Sequence, residues 1–329
     1  MFNYVHEIGI DLGTSSVLIC TKNKGIVLRE PAIVTKYRSG KSIHAVGQAS
    51  EVMLGRTPVG IVAVHPMKDG VISDYKATEE MLTVFIKKVC SHNIIKPRVV
   101  VSVPGGATEV EKRAVIDVLL KSGARRVHIV SSPIAAAIGA GIDISRPSGS
   151  MVIDIGGGVT DIAVISMNGI VASSSIKIAG DQFDEAIVRY ASKKFTLIIG
   201  EKTAEYVKKE IGCVQERPEI LTCEIKGRSL VSGLPQSMLI SSSEIMEALS
   251  EPVNAIIEKI TSVLEETPPE LAGDISDRGI TLTGGGSLLY GFDKLITSAT
   301  GIKVNIPEDP ISTVAKGTGK FLSKLNLLS

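Results

Sequence analysis

The stretch VIDIGGGVTDIAVI, residues 152–165, sets an acid and three consecutive glycines between two β-branched apolar runs. Runs of that kind read as buried strands, and a glycine cluster between them reads as the tight turn of an antiparallel pair. A second stretch, IGIDLGTSSVLI over residues 8–19, has the same pattern in other letters. Superposed, Asp11 falls on Asp154 and Gly13 on Gly156, and NKGIV falls on MNGIV after one extra residue. The chain therefore carries an internal repeat, each copy reading strand, glycine turn, strand, second turn, third strand.

A length of 329 residues suits two domains of ordinary size. With 44% apolar residues, 22% charged residues and a net charge of +1, the composition is that of a soluble globular protein; it excludes the basic field of a general nucleic-acid binder. Aromatic residues make up 4% and Trp is absent, so the core must be aliphatic, as suits a buried parallel or mixed sheet. Cys20, Cys90, Cys213 and Cys223 form no CxxC pair and have no His at metal-ligand spacing, which reads as reduced structural thiols. The N-terminus enters an apolar strand too soon for a signal peptide, and no apolar run approaches the ~20 residues that span a bilayer. A cytoplasmic protein is expected, with peripheral membrane contact left open.

Residues 141–150, GIDISRPSGS, read as the boundary between halves. Before it, Met81, Leu82, Phe85, Ile86 and Val89 share one helix face, and PRVVVSVP reads as a strand. A second helix has Thr108 and Glu111 in capping-box spacing, Val110, Ala114, Val118 and Leu119 on one face, and Gly123 just past its end. After the boundary, helices are expected at 182–198 and 203–211, a hairpin around Lys226 and Gly227, and a long helix opening with Ser241 and Glu244 and bent by Pro252. The class is α/β.

A glycine hairpin turn exposes successive backbone N–H groups, and such a nest binds phosphate oxygens without a side-chain cation. Two facing hairpins could clamp one polyphosphate, with Asp11 and Asp154 placed for a hydrated Mg²⁺. Glycine turns can merely close hairpins. Two acid–glycine turns in repeat register, with a third cluster at Gly284, Gly285 and Gly286 ending the strand ITLT, argue for more. A GGGS turn leading into a helix would bring backbone close to a nucleotide and aim a helix N-terminus at phosphate.

The set IDLGTSS, IDIGGGVTD, ITLTGGGSLLYGFDKLI and DPISTVAKGTGKFL resembles the actin, heat-shock chaperone and sugar-kinase superfamily. Within it, GIVLREPAIV, HPMKDGVISDY, VVSVPGGATEVEKRAVIDVLLKSGARRVHIV and AGDQFDEAIVRYASKKFTLIIGEKTAEYVKKEIG are similar to the MreB family of bacterial actins, from Ile8 to Leu322. The resemblance implies an actin-like two-lobed fold, duplicated ribonuclease H-like halves with a nucleotide cleft between them. Domain I would span 1–144 with a small subdomain near 30–75, domain II 145–313 with a small subdomain near 179–245, and a return helix at 314–329 would pack on domain I. It further implies ATP and Mg²⁺ as cofactors. Gly13, Thr14 and Ser15 would form the first phosphate turn and Gly156, Gly157 and Gly158 the second, with Asp11 and Asp154 in the Mg²⁺ water shell and Asp154 also a catalytic candidate. Glu205, Lys208 and Lys209 would embrace the ribose and adenine, Gly284 to Gly286 the adenosine, and Asp181 would also bind the nucleotide; without the resemblance, the two lysines read as a solvated helix face.

Two departures stand out. Where the family usually reads EEPMAAAIGA this chain reads SSPIAAAIGA, so Ser132 replaces the glutamate that orients the attacking water. Where it reads GGGTTE this chain has GGGVTD, which puts Val159 in place of a threonine, although actin itself carries valine there. The metal acids remain, so nucleotide binding with weak hydrolysis is expected. Ile94 and Ile95 lie where the family carries a membrane-inserting loop, and equally read as ordinary core. The expected role is a subunit of membrane-associated cytoskeletal filaments governing shape or motility, with copolymers of paralogues as a further partner. A phosphotransferase of the sugar-kinase type stands as the alternative; it needs a substrate pocket and a catalytic acid for which no inserted segment is seen.

Overall fold

The computed structural model describes residues 7–38, 43–90 and 95–325. Its first half runs β1 (Glu7–Leu12), β2 (Ser16–Thr21), β3 (Gly25–Pro31), β4 (Val34–Tyr37), β5 (Ile43–Val46), α1 (Gln48–Glu51), β6 (Ile61–Val64), β7 (Met67–Lys68) and β8 (Val71–Ile72). It continues with α2 (Tyr75–Val89), β9 (Arg98–Val103), α3 (Glu109–Lys121), β10 (Arg126–Ser131) and α4 (Ser132–Gly139). The second half runs β11 (Ser150–Ile155), β12 (Thr160–Ser166), β13 (Gly169–Ile176), α5 (Gly180–Phe195), β14 (Leu197–Ile198), α6 (Glu201–Ile211), β15 (Thr222–Ser229) and β16 (Pro235–Ser241). It closes with α7 (Ser242–Glu265), α8 (Pro269–Arg278), β17 (Ile280–Thr283), α9 (Phe292–Thr300), β18 (Val304–Asn305) and α10 (Thr313–Leu325).

The internal repeat is a repeat of architecture. One sheet has the order β3-β2-β1-β9-β10 and the other β13-β12-β11-β17-β18. In both, the first three strands are antiparallel neighbours and the last two run parallel to the first. Small three-stranded sheets, β5-β4-β6 and β14-β15-β16, are added one to each half.

Strand alternation explains the continuous apolar runs. On β9, Val99 and Val101 join the core of the first half, while Val100 faces the opposite way. On β11, Ile153 joins the core of the second half and Val152 faces the opposite way. Val100 and Val152 meet Ala135, Ala136, Ala137, Val314 and Leu322 in a central seam, where α4 and α10 lie between the sheets. That seam requires glycine: a β-carbon on Gly317 would sit 1.8 Å from the Ala135 carbonyl oxygen, and one on Gly139 1.9 Å from that of Thr313.

Both capping boxes form, at Thr108–Glu111 and Ser241–Glu244. Gly123 ends α3 as expected: its own N–H donates to the Leu120 carbonyl and the Ala124 N–H to that of Leu119. Elsewhere the reading needs correction. Val110 is exposed, and Val115 takes the buried place on α3. The helix expected at 182–198 runs from Gly180 and stops at Phe195, because Thr196 turns left-handed (φ 50°) and the chain continues as β14. Lys226 and Gly227 lie within β15, and the hairpin turn comes later, near Gly233 at φ 73°. Helix α8, which was not anticipated, separates α7 from β17, while α7 itself runs on through Pro252 as read.

Candidate nucleotide cleft

The two glycine turns close in the same way. Gly13 N–H donates to the Ser16 carbonyl and Gly156 N–H to the Val159 carbonyl, both at 3.0 Å, across four-residue turns that begin two residues after Asp11 and Asp154. The tips meet face to face. A β-carbon on Gly157 would lie 1.9 Å from Ser15 Oγ, and one on Gly158 2.4 Å from Thr14 Oγ1. The hydroxyl side chains of the first turn thus fill the space above the bare backbone of the second.

A third turn reaches the same point. Asp69 and Gly70, with φ of 50° and 75°, join β7 to β8, and Gly70 N–H donates to Thr14 Oγ1 at 2.9 Å. Gly70 also packs on Val159 and Pro104. The Asp-Gly pair between short apolar pieces was the signal for this turn.

Behind the tips stand three carboxylates. Asp11 accepts from Ser102 Oγ at 2.8 Å, and burial pushes its pKa up to about 6 against that hydrogen bond. Asp154 is raised well above the carboxylate range, first by burial and then by the charges of Asp11 and Asp161. Asp161, not singled out in the sequence, pairs with Asp154 across β11 and β12 and accepts from Gly105 N–H at 2.9 Å. Burial lifts it to about 6, opposed by Ser175 and Gly105. A four-residue turn beginning at Gly156 dictates that pairing, so turn length was the available signal. Among the described residues no three His, Cys, Asp or Glu side chains converge closely enough to ligate a metal directly. With burial and two further acids acting on Asp154, the donor set suits a cation that keeps its own waters.

Ser132 opens α4 at 8% exposure, and Val159 ends the second turn. Pro133 and Asp161 both pack on Gly105, so the start of α4 and the third acid share one turn. Asp181 joins both hairpins: its N–H donates to the Gly157 carbonyl at 2.8 Å and its carboxylate accepts from Ser15 Oγ at 3.3 Å. Glu205 and Lys209, paired at 2.6 Å, line a cavity of about 290 Å³ with Glu51, Val52, Lys202 and Tyr206. Lys202 donates to the Glu51 carbonyl across the gap. Lys208 lies outside that lining; its ammonium is held by Asp184 at 2.7 Å and by the Gly180 carbonyl at 2.8 Å.

The third glycine cluster does not open a helix at the site. Residues 285–288 form a 3₁₀ turn, and α9 begins only at Phe292. Gly284 and Gly286 are needed where the loop presses on β11, a β-carbon on either coming within 2.3 Å of Ile155. Gly285 alone has open space beside it. Ile95 is exposed, and Ile94 lies outside the described residues. No helix among the described residues is long and apolar enough to cross a membrane.

A family model described as MreB/Mbl protein matches residues 5–329. The chain belongs to the MreB/Mbl family. It is similar to the cell shape-determining protein MreB of Escherichia coli, at 49% identity over 98% of this chain and 95% of that one. Its identity to the cell shape-determining protein Mbl of Bacillus subtilis is 47%, over 99% and 98%. Among solved structures it matches MreB5 of Spiroplasma citri bound to ADP, with a TM-score of 0.93 and 38% identity over 98% of each chain. MreB5 bound to AMPPNP also matches with a TM-score of 0.93, at 39% identity over 98% of this chain and 97% of that one. The fold is the actin-like one.

In this MreB/Mbl chain the raised carboxyls give stability a definite sign with pH. A folded pKa above the unfolded one contributes stability that is present below the unfolded value, near 3.8, and is lost as pH rises through about 6. The melting temperature of cation-free protein is expected to rise as pH falls from about 7.5 to about 5.5, and Asp161→Asn to flatten the rise. A flat wild-type profile would contradict this assignment.

Proposed function

We propose that this chain binds ATP with Mg²⁺ between its two glycine turns, assembles head to tail into membrane-associated filaments that govern cell shape or motility, and hydrolyses ATP slowly. The observation that carries the reading is the meeting of two identically closed turns, each with an acid two residues before it and with Asp161 beside the second. Support from relatives is that MreB and Mbl are cell shape-determining proteins and that MreB5 binds ADP and AMPPNP.

Gly13 to Ser15 and Gly156 to Gly158 would hold phosphates, Asp181 would serve the nucleotide where the two turns join, Glu205 and Lys209 would take the ribose and base side with Lys208 behind them, and Gly284 to Gly286 the adenosine. Asp11 and Asp154 would hold Mg²⁺ through water, and the bound ion would neutralise phosphate charge. The division into lobes at 1–144 and 145–313, with a return helix at 314–329, belongs to the same reading. Head-to-tail contact that does not close into a ring generates an open filament. Membrane contact would rest on Ile94 and Ile95, weak in one subunit and multiplied along a filament. A net charge of +1 gives the chain no basic field for general nucleic-acid binding, and no nucleic-acid partner is proposed.

The reading is tested by titrating a fluorescent ATP analogue with and without Mg²⁺, for wild type and Asp154→Asn, and by pelleting the protein alone and mixed with a paralogue. Mg²⁺-dependent binding, weakened about tenfold or more by Asp154→Asn, is expected. Binding indifferent to both Mg²⁺ and that substitution would sink the nucleotide site. Pelleting unchanged by mixing would remove the copolymer.

A further inference from the structure

Helix α6 carries Glu205 and Lys209 to the 290 Å³ cavity, while α5 begins on the second glycine turn, and one part-buried ion pair connects the two helices. Consecutive lysines on a helix point about 100° apart, so they meet different surroundings. Lys209 stays outside with Glu205, whereas Lys208 turns inward, where its side chain is 14% exposed and that of Asp184 13%. Its ammonium donates to Asp184 Oδ2 at 2.7 Å and to the Gly180 carbonyl at 2.8 Å. Gly180 is also the residue whose N–H donates to the Gly156 carbonyl at 3.1 Å, and Asp181 N–H follows onto Gly157. A continuous line of hydrogen bonds therefore runs from α6 through Lys208 and Gly180 to the second turn.

We infer that Asp184 is a positioning residue for nucleotide binding: by holding Lys208 on the first turn of α5, it sets the base-side wall of the cleft at a defined distance from the phosphate turn. The inference rests on the nucleotide reading above and deepens it. Asp184 itself lines no part of the cavity and acts only through Lys208. Asp181 and Glu205 also feel the Lys208 charge, so the ammonium is the common counter-ion of three acids at the junction. Removing one member of a shielded pair leaves the other charge poorly compensated, whereas removing both can be nearly neutral for the fold.

The experiment compares MgATP with magnesium tripolyphosphate, which lacks ribose and base, by calorimetric titration of the full chain. The variants are Asp184→Asn, Lys208→Met and the double substitution, with a melting curve for each. Expected is a loss of about tenfold in ATP affinity for either single, the scale of one charge-assisted hydrogen bond. Tripolyphosphate affinity should be unchanged, and the double should lose ATP affinity by about the same factor as the worse single. Should the singles fail to fold, the double alone decides by the same split between ligands. A parallel loss of both ligands, an additive double, or unchanged ATP affinity overturns the inference. Wild type that binds neither ligand overturns the nucleotide reading and this inference with it.

Discussion

Ser132→Glu combined with Val159→Thr is expected to raise phosphate release from ATP by about two orders of magnitude while leaving nucleotide affinity nearly unchanged. Phosphoryl transfer to water depends on positioning and charge stabilisation, so a group that orients the water acts on the rate and hardly on binding. Ser132 opens α4, where the helix N-terminus favours an ionised carboxylate, and its side chain is two carbons shorter than a glutamate's. Glutamate adds the reach. Val159 closes the second turn, and threonine puts a hydroxyl in nearly the same volume. The measurement is phosphate release alongside pelleting in Mg-ATP. Wild type that pellets while releasing little phosphate, with a double variant that gains turnover, fits a clamp whose water-handling pair has been lost. Wild type already as fast as the variant means that other groups hold the water, and Asp161 beside the start of α4 is the first to substitute.

Gly317→Val should lower unfolding stability by about 3 kcal/mol or more, or abolish soluble protein. The new β-carbon would meet backbone, the Ala135 carbonyl oxygen at 1.8 Å, and backbone has no rotamer by which to yield. Gly139 makes the reciprocal approach on the other helix, and Gly9 and Gly319 let α10 lie against β1 and β2, where a β-carbon would come to 2.4 Å from Thr318 Oγ1 and 2.5 Å from Cys20 Sγ. Urea unfolding of Gly317→Ala gives the graded version if valine yields nothing soluble. Gly285→Ala is the control, having open space at its side. Equal midpoints for Gly317→Ala and Gly285→Ala would show that the seam relaxes and that the close approach carries no cost.

Much of this was legible because it rests on local periodicity. Apolar runs broken by Gly13 to Ser15 and by Gly156 to Gly158 specify two hairpins, and equal turn lengths put Asp11 and Asp154 in equivalent places. Thr108 and Ser241 announced their helices by capping chemistry. Features that depend on distant partners stayed hidden. Nothing in AEYVKKEIG says that Lys208 turns toward Asp184 on another helix while Lys209 stays outside. The glycines at 284 and 286 read as a loop for the adenosine, and nothing local says that their bareness also clears Ile155 and, at Gly284, the Asp154 carboxylate. Thr196 ended a helix early by adopting a left-handed conformation that threonine seldom takes. Helix α8, rich in Pro, Gly and Asp, has no strong intrinsic preference and is held by its place beside β11, where Gly149 N–H donates to Asp274.

The two turn tips fit because they are unlike. Thr14 and Ser15 supply the side chains, and Gly157 and Gly158 supply the room for them. Two tips of the first kind would collide, and two of the second would leave a gap, so neither a dimer of one half nor a chain of two identical halves could shut in this way. The fit thus needs unlike copies, one turn serving as plug and the other as socket. Neither half can take its sibling's letters at these positions unless the other changes in step.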